Sequence, residues 1–124
     1  MTKPRLLPDR ELFGILGSIP DRSALQSNWN KYFMNNKIDA FLDNYPTTKE
    51  NIHERLSEMF HFDRRGYIVG GSLQKEVIPF LDSIDDSVKE EGANIISNKN
   101  GVLTGRFVKD ISPQILYEYF LTLQ

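Results

Sequence analysis

The spacing of apolar and polar positions changes several times along the chain, and each change marks a predicted element. Residues 12–17 are a short apolar run closed by Gly17, which reads as a buried strand. Turn chemistry follows around Pro20. Leu25, Trp29 and Phe33 recur at i, i+4 and i+8, the apolar stripe of an amphipathic helix that Asn35 and Asn36 end. Residues 38–43 read as a second strand, and Thr47 and Glu50 then have the spacing of a capping box. That box opens a helix whose apolar face is Ile52, Leu56, Met59 and Phe60. Residues 67–69 read as a third buried strand. Gly70, Gly71 and Ser72 turn the chain into a predicted helix carrying Val77, Ile78, Leu81 and Ile84, with a kink or break at Pro79. Residues 85–87 restart that helix, which runs on to Gly92. Two further runs, 93–97 and 102–108, flank a hairpin turn at Asn98, Lys99, Asn100 and Gly101. Ser112 with Pro113 reads as an N-cap and first helical residue, opening a last helix with Leu116, Phe120 and Leu123 on one face.

Strands alternating with helices predict an α/β fold: a three-layer α-β-α domain on a mixed, mostly parallel sheet, the late hairpin adding the antiparallel part. Residues 1–10, with two prolines, read as an N-terminal arm, and 11–124 as a single domain. Apolar residues make up 40% and charged residues 26% of the 124, enough for a real core. A net charge of −2 gives no footprint for nucleic acid. There is no cysteine, so disulfides, thiolate catalysis and cysteine zinc sites are excluded. No run has the length of a membrane span, and the first residues lack a signal-peptide core, so a cytoplasmic protein is expected.

The common catalytic signatures are missing. G-x-x-x-x-G-K-[ST], G-x-S-x-G and G-x-G-x-x-G are all absent, and His53 and His61 fit no zinc spacing. What remains is a handful of residues at turns, each with two readings. Gly70, Gly71 and Ser72 form either an anion-holding nest at a helix start or a plain strand-to-helix turn. Lys75 is either an acid/base amine or a solvated lysine beside Glu76. Ser23 is either a donor to a ligand carboxylate or a helix N-cap. Asn94 offers either an amide to a ligand or satisfaction to nearby backbone, and Asp110 is either a base or a loop carboxylate before a helix cap.

Between Tyr67 and Ala93 the chain resembles the N-terminal substrate-binding domain of shikimate dehydrogenases, and the likeness extends over about 11–110. The family pattern there is N-V-T-x-P-x-K-E, then I-P-x-L-D, then G-A-V-N-T. Val69, Ile78, Pro79, Leu81, Asp82, Gly92 and Ala93 match it. Ile68 stands for the asparagine, Gly70 for the substrate-contacting threonine and Ser72 for the proline. Placed without a gap, the catalytic lysine position is Gln74, with Lys75 one residue beyond. In the family's G-x-P-I-x-H-S-x-S-P, Ser23 keeps the first substrate serine, Leu25 replaces the second and Arg22 replaces the histidine. Asn94 fills the substrate asparagine if the valine before it is deleted. The catalytic aspartate of G-Y-N-T-D falls on Lys109, with Asp110 one further on.

The resemblance therefore implies a substrate set of Ser23, Gly70, Gln74 and Asn94. The catalytic pair is replaced at Gln74 and Lys109, or displaced to Lys75 and Asp110. It implies a small cyclic hydroxy acid as ligand, and NADP only where a nucleotide domain follows; no cofactor or metal is expected in this chain. The leading expectation is a diverged substrate-binding domain that is not catalytic alone. The rivals are a fragment of an active NADP-dependent shikimate or quinate dehydrogenase, and an interaction module or homodimer built on the aromatics Tyr117, Tyr119 and Phe120 of the last helix.

Overall fold

The computed structural model describes residues 11–61, 64–90 and 92–122, without the side chains of 60, 61 and 118–122. The expected arm at 1–10, the side chains of Phe60, His61, Tyr119 and Phe120, and Leu123 thus lie outside the described residues. The elements run β1 (Glu11–Leu16), α1 (Arg22–Asn35), β2 (Ala40–Tyr45), α2 (Ile52–His61), β3 (Arg64–Val69), β4 (Ser83–Ile84), β5 (Ile95–Lys99), β6 (Val102–Arg106) and α3 (Pro113–Thr122). They build one six-stranded sheet in the order β2-β1-β3-β5-β6-β4. β2, β1 and β3 are parallel, β5 is antiparallel to both its neighbours, and β4 is parallel to β6.

Alternation along the strands sorts the core onto two faces. Phe13 and Ile15 of β1, Ile68 of β3 and Ile95 of β5 pack with Trp29 and Phe33 of α1 and Leu116 of α3. Leu16, Tyr67, Val69, Ile96 and Leu103 turn the other way, onto Ile52, Leu56 and Met59 of α2. The connections leave β1 toward β2 and then cross back to β3. Right-handed crossovers in opposite directions place α1 and α2 on opposite faces, which makes the three layers. A fully buried side chain such as Phe33, 1% exposed, contributes about 2 kcal/mol. Trp29 adds a tie of its own: its indole N–H donates to the Ile111 carbonyl at 3.1 Å, fastening α1 to the segment that leads into α3.

The predicted helix after Gly70 does not form. Residues 71–84 instead make two 3-10 turns, Gly71–Leu73 and Ile78–Phe80, and then the two-residue strand β4. Pro79 sits in the second turn, where it cannot continue a helix. The aspartates beyond it bond to backbone elsewhere, which favours turns over helix. Asp82 accepts from the Leu103 N–H at 2.8 Å and Asp85 from the Ser87 N–H at 2.9 Å. Two helix starts also differ from expectation. α1 begins at Arg22 with Asp21 as N-cap in the left-handed region, so Ser23 lies inside the first turn and is not the cap. Thr47 donates to the Tyr45 carbonyl at 2.6 Å rather than closing a capping box. The hairpin forms as expected, with Asn100 and Gly101 at φ 53° and 88°, the signs a type I′ turn requires.

A polar knot holds α2 to the sheet. Arg64 donates to Glu58 at 2.8 Å and to the Tyr67 hydroxyl at 2.9 Å, and lies 4.0 Å from the Tyr45 ring centre. Tyr67 donates in turn to the Arg55 carbonyl at 3.1 Å. Burial pushes the Tyr67 hydroxyl up to about 12, against the opposing pull of Arg64. Its folded value lies above the ordinary 10, so its contribution is fully present below pH 10 and is lost as pH rises toward 12. Denaturation of the wild type should therefore show a loss of stability across that alkaline window that Tyr67→Phe flattens. Equal alkaline slopes in the two proteins would contradict the assignment.

Candidate functional site

In a sheet of this kind, ligands sit at the C-terminal strand ends where consecutive connections leave in opposite directions. Here that point lies between β1 and β3: β1 continues toward β2, and β3 continues toward β4. Antiparallel β5 starts and β6 finishes at this same end, so the turns at 17–21, 70–74, 92–94 and 107–110 converge.

Backbone contacts join these turns. The Gly70 N–H donates to the Leu16 carbonyl at 2.8 Å, and a Cβ at residue 70 would lie 2.4 Å from the Ser18 carbonyl oxygen. Only glycine lets the two strand ends approach this closely. Gly92 holds φ 93°, and a Cβ there would lie 2.2 Å from the Gln74 carbonyl oxygen. The next N–H, of Ala93, donates to that oxygen at 2.9 Å. Leu73, 3% exposed, fills the space beside Gly17.

The side chains that could face a ligand fall into two groups. Gln74 is half-buried and folds back, its amide donating to the Val69 carbonyl at 3.0 Å. Asn94 is buried and pairs both ways with Val108: its amide nitrogen donates to the Val108 carbonyl at 2.6 Å, and its oxygen accepts from the Val108 N–H at 2.9 Å. Gly70 offers only backbone. The second group is exposed: Ser23 in the first turn of α1, Lys75, Lys109 and Asp110. Asp110 accepts from the Ser112 N–H at 2.9 Å, the turn before α3. Lys75 and Asp110 form no ion pair with each other among the described residues. All seven residues thus share one end of the sheet, but the amides face the protein and the charges face solvent.

One residue near this end, marked in the sequence only as the replacement for the family's histidine, has a structural part. Arg22 donates to the Gly17 carbonyl at 3.2 Å and so closes the turn after β1. Nothing in the local pattern announces a backbone partner five residues back. A cleft of about 330 Å3 also opens nearby, between the turn before α2 and the turn after β3, lined by Thr48, Lys49, Glu50, Ser72 and Glu76 among others. None of the seven candidate residues lines it. Among the described residues no cluster of His, Asp or Glu could hold a metal ion, and no described helix is long and apolar enough to cross a membrane.

No protein-family model matches the chain. It is 30% identical over 102 residues, 82% of its length, to the NADP-dependent shikimate dehydrogenase of Dehalococcoides mccartyi. It spans only about a third of that relative, 35% of its length. Among solved structures, shikimate 5-dehydrogenase from Listeria monocytogenes, in complex with shikimate and NAD, superposes with a TM-score of 0.73 at 19% identity, covering 84% of this chain and 36% of the other. Ligand-free 5-ketofructose reductase from Gluconobacter superposes equally well, at 15% identity over 79% of this chain and 36% of the other. At these identities the structural likeness speaks to the fold alone. The fold and the sequence match together define an α/β domain with a mixed, mostly parallel sheet. In particular, the chain is similar in sequence and in fold to shikimate dehydrogenases over a stretch of about a third of their length.

Two substitutions test this geometry. Asn94→Ala strips both backbone groups of Val108 of their partner and should cost about 1–3 kcal/mol, read as a lower denaturation midpoint. Gly70→Thr puts a Cβ into the Ser18 backbone and should cost about 1–3 kcal/mol. An unchanged midpoint in either variant would show that the contact concerned is not formed.

Proposed function

We propose that this chain is a substrate-binding domain of the shikimate dehydrogenase type whose pocket has diverged, so that alone it does not catalyse NADP-dependent oxidation or reduction. The observation that carries the reading is at the position of the family's catalytic lysine. There Gln74 presents a neutral amide already donated to the Val69 carbonyl, while the neighbouring amine of Lys75 is exposed. An amide neither accepts nor releases a proton usefully near neutral pH, so the step in which a substrate hydroxyl loses its proton has no base at this position.

The binding side of the pocket is altered in the same sense. Leu25 stands where a second serine would meet a substrate carboxylate, and an unmatched carboxylate costs about 1–3 kcal/mol. Asn94, the proposed substrate amide, reaches a ligand only by giving up Val108. The ligand class proposed is a small cyclic hydroxy acid, held more weakly or with altered specificity. NADP would enter through a nucleotide-binding domain adjoining this one, and the cytoplasm is the proposed setting.

The test is turnover together with binding. Purified chain, and the longest natural product that contains it, are assayed for NADP-dependent oxidation of shikimate and quinate, with thermal denaturation followed in the same ligands. The reading expects no turnover above the uncatalysed background. A bound acid at a hundred times its dissociation constant would add about 2.7 kcal/mol of apparent stability. Measurable turnover that is lost in Lys75→Ala and Asp110→Ala overturns the reading in favour of an active dehydrogenase using the displaced pair.

A further inference from the structure

The sequence holds a single Asn–Gly step, Asn100–Gly101, and the fold sets it at the tip of the β5–β6 hairpin. β5 leaves the pocket end of the sheet and β6 returns to it, so this tip lies at the opposite end. Asn100 is exposed, and the pair holds φ 53° and 88°. An asparagine before glycine carries a latent reaction. The backbone nitrogen of the following residue, on losing its proton, attacks the side-chain carbonyl carbon. A residue without a Cβ leaves that approach open.

The nitrogen concerned is that of Gly101. Its N–H donates to the Asn98 side-chain oxygen at 2.9 Å. Asn98 is itself fixed, because its amide nitrogen donates to the Met59 and Arg64 carbonyls, both at 3.0 Å. With both amide hydrogens placed on carbonyls, the oxygen is the end left for Gly101. One half-buried carboxamide thus joins α2, the start of β3 and the hairpin tip. Its bond to Gly101 opposes the reaction twice: it favours the protonated nitrogen, and it ties that nitrogen to a neighbour other than Asn100.

We propose that Asn100 is a site of spontaneous deamidation and that Asn98 is the brake that sets its pace. The Gly101 nitrogen forms a bond to Cγ of Asn100, the bond from Cγ to the amide nitrogen breaks, and ammonia leaves with the proton that Gly101 gives up. Water then adds at either carbonyl of the cyclic imide. The products are aspartate and isoaspartate, each with one new negative charge, and no electrons are exchanged. The isoaspartate route lengthens the backbone within the turn and loosens the pairing of Lys99 with Val102. This site is independent of the reading of the pocket, which lies at the other end of the sheet.

The test is incubation of the folded chain at neutral and mildly alkaline pH, with peptide mapping by mass spectrometry and detection of isoaspartate. Conversion should appear first at Asn100 and quicken as pH rises. Asn98→Ala should speed it about three- to tenfold, the weight of one net hydrogen bond. Asn98→Asp loses the donors to Met59 and Arg64 but keeps an acceptor for Gly101, so its rate should stay near that of the wild type. If Asn98→Ala does not fold, the wild type decides against a free peptide of residues 96–104. The fold should then slow conversion by a factor within about tenfold of the protection of the Gly101 amide against exchange. A folded wild type that never converts at Asn100 while the peptide does, an Asn98→Ala rate equal to the wild type, two variants equally fast, or a slowing unrelated to the protection of Gly101 overturns the proposal.

Discussion

The contact on which the site depends is the approach of two strand ends, with the Gly70 N–H on the Leu16 carbonyl and no room for a side chain between residue 70 and Ser18. It draws the turn after β3 against the turn after β1 at the place where a sheet of this topology opens toward ligand. The neighbouring contacts continue the same pattern. Gln74 bonds back to Val69, Ala93 bonds to Gln74, and Asn94 spends its amide on Val108. Polar groups that could reach outward are used to hold turns together. That arrangement stabilises the fold and leaves Ser23, Lys75 and Lys109 as the exposed side-chain donors among the candidate residues at this end.

The remainder of the molecule supports this end rather than competing with it. The aromatic packing of Phe13, Trp29 and Phe33 fixes α1 on one face. On the other, the knot of Arg55, Glu58, Arg64 and Tyr67 fixes α2. Burial raises the Glu58 carboxyl, but hydrogen bonds from Arg64 and Arg55 outweigh it and hold the group below the usual range. The charge pair is thus kept at neutral pH, and its contribution is lost as pH falls through the depressed value. With both helices anchored, the turns at the strand ends are carried by rigid elements.

The sequence makes the framework legible where periodicity is strong. The stripe of Leu25, Trp29 and Phe33, the apolar runs of β1 and β3 and the Asn100–Gly101 hairpin all state their structures locally. Residues 71–91 misled because Val77, Ile78, Leu81 and Ile84 mimic helical spacing, whereas Pro79 and the side-chain bonds of Asp82 and Asp85 settle the chain into turns and an edge strand. The candidate residues could be named from the family pattern, but their orientation could not. Whether Asn94 faces a ligand or Val108 depends on a backbone fourteen residues away, and the closure of the turn after β1 by Arg22 has no local signature. The bonding of Asn30 to Leu42 is equally non-local, since it joins a helix face to a strand twelve residues on.

The central claim is that the side-chain amides of Gln74 and Asn94 are already engaged within the protein. The most direct measurement is the nuclear magnetic resonance of the Gln74 and Asn94 side-chain amides during titration with shikimate. The account predicts that both are protected from exchange in the free protein and that the Asn94 pair keeps its chemical shift as shikimate is added. Rapid exchange in the free protein, with saturable shifts of both amides on addition of shikimate, would contradict it.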